Sequence, residues 1–208
     1  MRILFATSNP HKVAEVRAIL GEIGVEVVSL ADLHQSYPEP IEDGETFIAN
    51  ARIKARQYAA ATGRRCLAED SGLEVDALGG RPGVHSARYS GSEGDRATRD
   101  RANNEKLLAE MADVADGERA ARFVCAMCVA DPDGTVVVES RGTYEGEIAR
   151  VPRGDNGFGY DPLLWLPDVG KTSAELSPED KNARSHRGAA TRELARRLVA
   201  VDAGGRER

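Results

Sequence analysis

An α/β fold built on a mixed sheet is what this sequence predicts, on three observations. The chain opens with an apolar run, RILFAT, that ends at Ser8-Asn9-Pro10 and passes into a helical stripe. A second apolar run, VEVVSL, follows that helix, which makes a strand–helix–strand unit at the front. Further on, ARFVCAMCVA and TVVVESRGTYEGEI flank Asp131-Pro132-Asp133-Gly134, a turn sequence that predicts a hairpin. A front unit of that kind and a later chain reversal fit one sheet with both strand senses.

The elements follow in order. Residues 2–7 read as a strand, Asn9 as a helix cap and Pro10 as the first helical position. Val13, Val16, Ile19 and Leu20 supply the apolar stripe, and Gly21 and Gly24 end it. Residues 25–30 form the second strand, followed by a polar loop through Gly44. A long helix is expected over 45–62, with Ile48, Ala51, Ala55 and Ala59 on one face and Gly63 as its stop. RRCLA is a strand that leads into Glu69-Asp70. Residues 78–91 carry no period and read as a shaped loop, and a helix follows at 95–112. After the hairpin comes a glycine-containing stretch, then a short helix after Ser177-Pro178 and a final amphipathic helix. Residues 1–198 read as one domain, and 199–208 as a frayed tail.

Composition removes several function classes. With 41% hydrophobic residues in 208, the chain can bury a core without a staple or a structural metal. A net charge of −6 argues against a general nucleic-acid or membrane-surface binder, although a local basic pocket remains open. The N-terminus has no signal-like apolar region, and no run approaches the roughly 20 apolar residues of a membrane span. A cytoplasmic protein is the expectation. Cys125 and Cys128 form C-x-x-C, but on a strand these positions point to opposite faces, so buried free thiols are expected, together with Cys66.

Four stretches carry chemistry. TSNPHK (Thr7, Ser8, Asn9, Pro10, His11, Lys12) is a strand-to-helix loop with a cation in the first turn, which reads as an anion site or as an ordinary capped helix. Glu42-Asp43-Gly44 and Glu69-Asp70 are acidic loop and strand-end clusters of the kind that hold Mg²⁺ on substrate phosphates, or that simply face solvent. GFGYDP sets Phe158 between Gly157 and Gly159, as a stacking ring or as a core residue in a turn. KNARSHR places Lys181, His186 and Arg187 within two helical turns, as base-edge donors or a solvated basic face. If strand geometry persists through Glu69-Asp70, the two acids point to opposite sides and cannot share a proton.

Taken together, T-S-N-x-x-K, A-E-D-S-G-L, G-G-x-P-G-x-x-S-A-R-Y-S-G, G-F-G-Y-D-P and S-H-R-G closely resemble the inosine/xanthosine triphosphate pyrophosphatase family, over about residues 3–197. The resemblance implies an elongated twisted mixed sheet flanked by helices, two lobes with a groove between them, and a homodimer. It implies Mg²⁺-dependent hydrolysis of ITP, dITP and XTP to the monophosphate and pyrophosphate. Thr7 to Lys12 would bind the triphosphate, Glu42 and Asp70 the metal, and Asp70 would also accept the water proton. Ser71 would contact substrate, Phe158, Gly159, Tyr160 and Asp161 would surround the base, and Lys181, His186 and Arg187 would complete the pocket.

Such a pocket has a chemical logic. Keto purines present an O6 acceptor and an N1–H donor; adenine presents the reverse. Donors on His186 and Arg187 and an acceptor on Asp161 would match the first and mismatch the second. Glu69, where the family also uses Asp, is left outside the core set, and Ala49 stands where the family commonly has an acid. Lys54 reads as a phosphate contact or a solvated lysine. The rival readings are a pyrophosphatase for modified pyrimidine or standard nucleotides, and a catalytically silent nucleotide-binding regulator.

Overall fold

A computed structural model describes the backbone of residues 1–205 and the side chains of residues 1–201. The elements are β1 (Arg2–Phe5), α1 (Pro10–Gly21), β2 (Glu26–Ser29), α2 (Phe47–Thr62), β3 (Cys66–Val75), α3 (Arg96–Glu110), β4 (Ala120–Ala130), β5 (Val136–Ile148), β6 (Leu164–Leu166), β7 (Lys171–Thr172), α4 (Pro178–Arg184) and α5 (His186–Gly205). The seven strands hydrogen-bond in the order β2-β1-β3-β4-β5-β6-β7. β1 pairs in parallel with β2 and β3, while β6 pairs antiparallel with β5 and β7, so the sheet is mixed.

Several bounds differ from those the sequence suggests, for local reasons. Thr46 caps α2 by accepting from the Ala49 N–H at 3.2 Å, which moves the helix start two residues on. β3 does not stop at Ala68 but continues through the Ser71-Gly72 pair to Val75. Residues 78–91 include a 3-10 helix over Gly83–Arg88. α5 runs to Gly205, into the stretch read as a tail, whose last three residues lie outside the described residues.

The chain divides into two compact units. Unit 1 takes Met1–Ser71, Cys125–Gly142 and the chain from His186 on; unit 2 takes Gly72–Val124 and Thr143–Ser185. Unit 1 buries apolar residues on both faces of its strands. On one face Ile3, Phe5, Leu67, Cys125, Met127 and Val129 pack with Val13, Val16 and Leu20 of α1 and with Ala190, Leu194 and Leu198 of α5. On the other, Leu4, Cys66, Ala68 and Cys128 pack with Ala51, Ala55, Tyr58 and Ala59 of α2. Cys125 and Cys128 thus lie on opposite faces, and all three cysteines are free and buried. Burial pushes the Cys66 and Cys128 thiols up to about 12. Unit 2 closes its own core from Leu73, Val75, Leu107, Met111, Phe123, Ile148, Tyr160, Leu163 and Leu164.

Candidate active site

In unit 1, the loop after β1 is pinned by its own cap. Asn9 Oδ1 accepts from the N–H of His11 (3.0 Å) and of Lys12 (3.4 Å), and the Asn9 N–H donates to Thr7 Oγ1 at 3.2 Å. The cap therefore takes two of the N–H groups that a bare helix start would offer an anion. Ser8, Pro10 and His11 are exposed, and Thr7 and Lys12 are half-buried. The Lys12 ammonium lies 2.7 Å from Glu69 Oε1.

Alternation along β3 then separates its two acids. Leu67 and Glu69 face α1 and α5; Cys66, Ala68 and Asp70 face α2. The Glu69 side chain is only 3% exposed. Arg187 grips it with two parallel bonds, Nε to Oε2 at 2.7 Å and Nη2 to Oε1 at 3.0 Å, and the Cys125 thiol donates to Oε2 at 3.6 Å. Burial works to raise the Glu69 carboxyl, but the charges of Arg187 and Lys12 outweigh it and hold Glu69 well below the usual carboxylate range.

The same pairing defines the surroundings of Arg187. Its side chain is 8% exposed, its Nε and Nη2 bond Glu69, and its Nη1 lies 3.5 Å from Glu15. His186, one residue earlier, is half-buried at the start of α5.

Asp70, half-buried, sits in a different network. Its Oδ2 accepts from Asn50 Nδ2 at 3.0 Å, and its Oδ1 lies 3.5 Å from the Lys54 ammonium, which also reaches Glu42 Oε2 at 2.8 Å. Burial raises the Asp70 carboxyl above its ordinary value and Glu42 adds to this, while Lys54, the Asn50 bond and the Ser71 N–H oppose it. Asn50 is 2% exposed, and its Oδ1 accepts the Gly44 N–H at 2.8 Å. A Cβ on Gly44 would come within 2.7 Å of that same oxygen, so the acidic loop lies against α2 with no room for a side chain.

In unit 2, the GFGYDP segment is tied down from two sides. Asp161 is 2% exposed; its Oδ1 accepts from Ser173 Oγ at 2.8 Å, and its Oδ2 accepts from the Phe158 N–H at 2.8 Å and from Lys181. Gly157 has φ +81, and a Cβ there would lie 2.2 Å from Asp161 Oδ2. On α3, Asp100 accepts the Gly159 N–H at 2.9 Å and Asn104 donates to the Gly159 carbonyl at 3.0 Å. The result is an exposed Phe158 ring, 45% accessible, with the Arg96 guanidinium 4.2 Å and the Lys181 ammonium 5.1 Å from its centroid.

Two of the residues expected around the base are held within unit 2. Tyr160 is a core residue, 4% exposed, with its hydroxyl donating to the Ser86 carbonyl at 2.9 Å. Asp161 is the clasp of its loop.

Sequence reasoning left Glu69 outside the core set and missed Asn50, Arg96, Asp100 and Asn104 as members of these networks. A signal existed for most. Arg96, Asp100 and Asn104 recur every fourth residue on α3, and Asn50 and Lys54 do so on α2 beside an acidic loop, which places each set on one helix face.

Comparison with known proteins agrees with the resemblance drawn from the motifs. A model of the Ham1 family matches residues 3–197. The dITP/XTP pyrophosphatase of Nocardia farcinica is 52% identical over 204 residues, covering 96% of each chain. That of Exiguobacterium sibiricum is 47% identical over 199 residues, covering 96% of this chain and 98% of its own. Among solved structures, a HAM1 protein from Coxiella burnetii superposes with a TM-score of 0.86 at 39% identity, over 96% of this chain and 99% of that one. The nucleoside-triphosphatase / dITP/XTP pyrophosphatase from Mycobacterium abscessus does so at 0.76 and 49% identity, over 93% and 98%. On motifs, sequence and fold alike, the chain belongs to the Ham1 family.

Proposed function

We propose that this chain is a divalent-metal-dependent nucleoside triphosphate pyrophosphohydrolase that converts ITP, dITP and XTP to the monophosphate and pyrophosphate, keeping deaminated purines out of DNA and RNA. The observation that carries the chemistry is the placement of Asp70, a half-buried carboxylate beside Glu42 and a lysine. A carboxylate so placed can take a proton from an attacking water.

The residues fit a Mg²⁺ brought in with the nucleotide. Glu42 Oε2 and Asp70 Oδ1 both face a single cationic group, the Lys54 ammonium. Among the described residues no group of three or more His, Cys, Asp or Glu closes round one point. One or two carboxylates, with substrate phosphates completing the shell, is the ordinary Mg²⁺ arrangement. Glu42 and Asp70 would hold the ion, and its charge would offset that building up on the phosphates.

The chain's own groups do the rest. Thr7, Ser8 and Lys12 offer hydroxyls and a cation to the triphosphate, and Lys54 and Ser71 add donors on the Asp70 side. Asp70 Oδ2, which keeps a second lone pair beside its Asn50 bond, orients a water and accepts its proton as the water oxygen bonds to the α-phosphorus. The bond from that phosphorus to the bridging oxygen breaks, and pyrophosphate leaves. In unit 2, a purine stacked on the exposed face of Phe158 would meet the Lys181 ammonium, a donor that suits a keto oxygen and opposes an amino group. By the same resemblance the enzyme is a cytoplasmic homodimer; no described helix is long and apolar enough to cross a membrane.

One assay tests the reading: ITP, XTP, dUTP, ATP and GTP are each incubated with the protein and Mg²⁺, and the first product is identified. Pyrophosphate from ITP and XTP ahead of the others is expected. Orthophosphate as first product, or preference for dUTP or ATP, would overturn it.

A further inference from the structure

We infer that the Lys54 ammonium holds the cation position between Glu42 and Asp70 in the unloaded protein, and that a divalent metal enters only by displacing it. The inference rests on the metal-dependent reading above and concerns the order in which that site fills.

The geometry sets the two Asp70 oxygens in different surroundings. Asp70 Oδ2 is taken by the Asn50 carboxamide, whose orientation is fixed because its oxygen accepts the Gly44 N–H. Asp70 Oδ1 is therefore the oxygen left to a cation, and Lys54 Nζ stands 3.5 Å from it and 2.8 Å from Glu42 Oε2. The Lys54 side chain is 14% exposed and the Asp70 side chain 15%, so water screens the contact only weakly. A metal bound to the same two oxygens at about 2 Å would sit almost on the ammonium. Two cations so close repel strongly in a partly dry site, so metal and lysine exclude one another.

Lys54 is also built to move. It follows Asn50 by one helical turn, so its stem is anchored on α2 while the flexible chain carries Nζ. A nucleotide triphosphate would give the displaced ammonium new oxygens to pair with and would complete the metal's shell. Free metal offers neither. The site should bind free metal poorly and metal with nucleotide well, a positive coupling between the two ligands.

The test uses Mn²⁺ as a probe for Mg²⁺, titrated into the full chain without nucleotide and read by the electron paramagnetic resonance signal of the unbound ion. Lys54→Met is expected to bind Mn²⁺ on the order of tenfold more tightly than the wild type, and Lys54→Arg, which keeps the charge, within about threefold of it. The gain should vanish when Asp70→Asn is added to Lys54→Met. Lys54→Gln gives a second measurement should the Met variant melt early. Unchanged Mn²⁺ affinity in both neutral variants, or a gain that survives Asp70→Asn, overturns the inference. Because no nucleotide is present, failure here is separate from failure of the pyrophosphatase reading, which shows instead as a wild-type protein that releases no pyrophosphate from ITP.

Discussion

A carboxylate raised by burial is ready to accept a proton but uncomfortable when charged, and both consequences can be read at Asp70. As the water-activating group it should be needed for turnover: Asp70→Asn is expected to lower kcat by on the order of 10²–10⁴ while nucleotide binding is largely kept. Turnover like the wild type's would remove the role. Stability should move the other way. The folded-state value lies above the ordinary 3.8, so the folded chain keeps the proton to higher pH than the unfolded chain does. The stability Asp70 contributes is present below about 3.8 and falls as pH rises through the folded value. At pH 7, without metal, the ionised group is a net cost, and Asp70→Asn should resist urea at least as well as the wild type. A clearly less stable variant would show that the Asn50 and Lys54 contacts outweigh burial.

One position along β3, Glu69 joins elements instead of serving the reaction directly. It receives Lys12 from the first turn of α1 and Arg187 from the first turn of α5, so three elements meet on one buried carboxylate. Removing its charge leaves the buried Arg187 to the longer Glu15 contact, and Glu69→Gln is expected to cost about 3 kcal/mol in urea unfolding at pH 7. The sign of the pH dependence is opposite to that of Asp70. Arg187 and Lys12 overcome the burial that would raise Glu69 and hold it below its ordinary 4.5, so its contribution is complete above pH 4.5 and is lost as acid approaches the folded value. The gap between wild type and variant should narrow below pH 4.5; a gap constant from pH 7 to 3 would show that the pair carries no such linkage. Glu69 also marks how far sequence could reach. Asp70, Glu42 and Lys12 were singled out by the motifs of the family resemblance, since a charged residue at a strand or loop end can equally face solvent. Alternation correctly set Glu69 and Asp70 on opposite faces, but it could not say that the partner of Glu69 lies 118 residues away on α5. In the same way β3 was expected to end before the acids, because Ser71-Gly72 locally favours a turn, while pairing within the sheet carries the strand on to Val75. β6 and β7, three and two residues long, have too short a period to be seen without their partners.

For the molecule as a whole, selectivity for a base becomes a shift in melting. The net charge of −6 gives no general attraction for a polyanion, so any stabilisation by a nucleoside triphosphate has to come from its site. A ligand at a hundred times its Kd adds about 2.7 kcal/mol to the folded state. For a chain of this size that is a rise of roughly 5–11 °C in Tm. Asp70→Asn supplies a folded protein that does not consume the ligand during the scan. With Mg²⁺ present, ITP and XTP should raise its Tm by that amount, and ATP at the same concentration should raise it much less. Adenine would set its amino group against the Lys181 ammonium, two donors face to face with no acceptor between them, a mismatch capable of large discrimination. Lys181→Met should then narrow the difference between ITP and ATP, chiefly by weakening ITP. Equal shifts from ITP and ATP in Asp70→Asn would mean that the protein holds the phosphates and ignores the base, and would leave Phe158 and Lys181 with no part in choosing substrate.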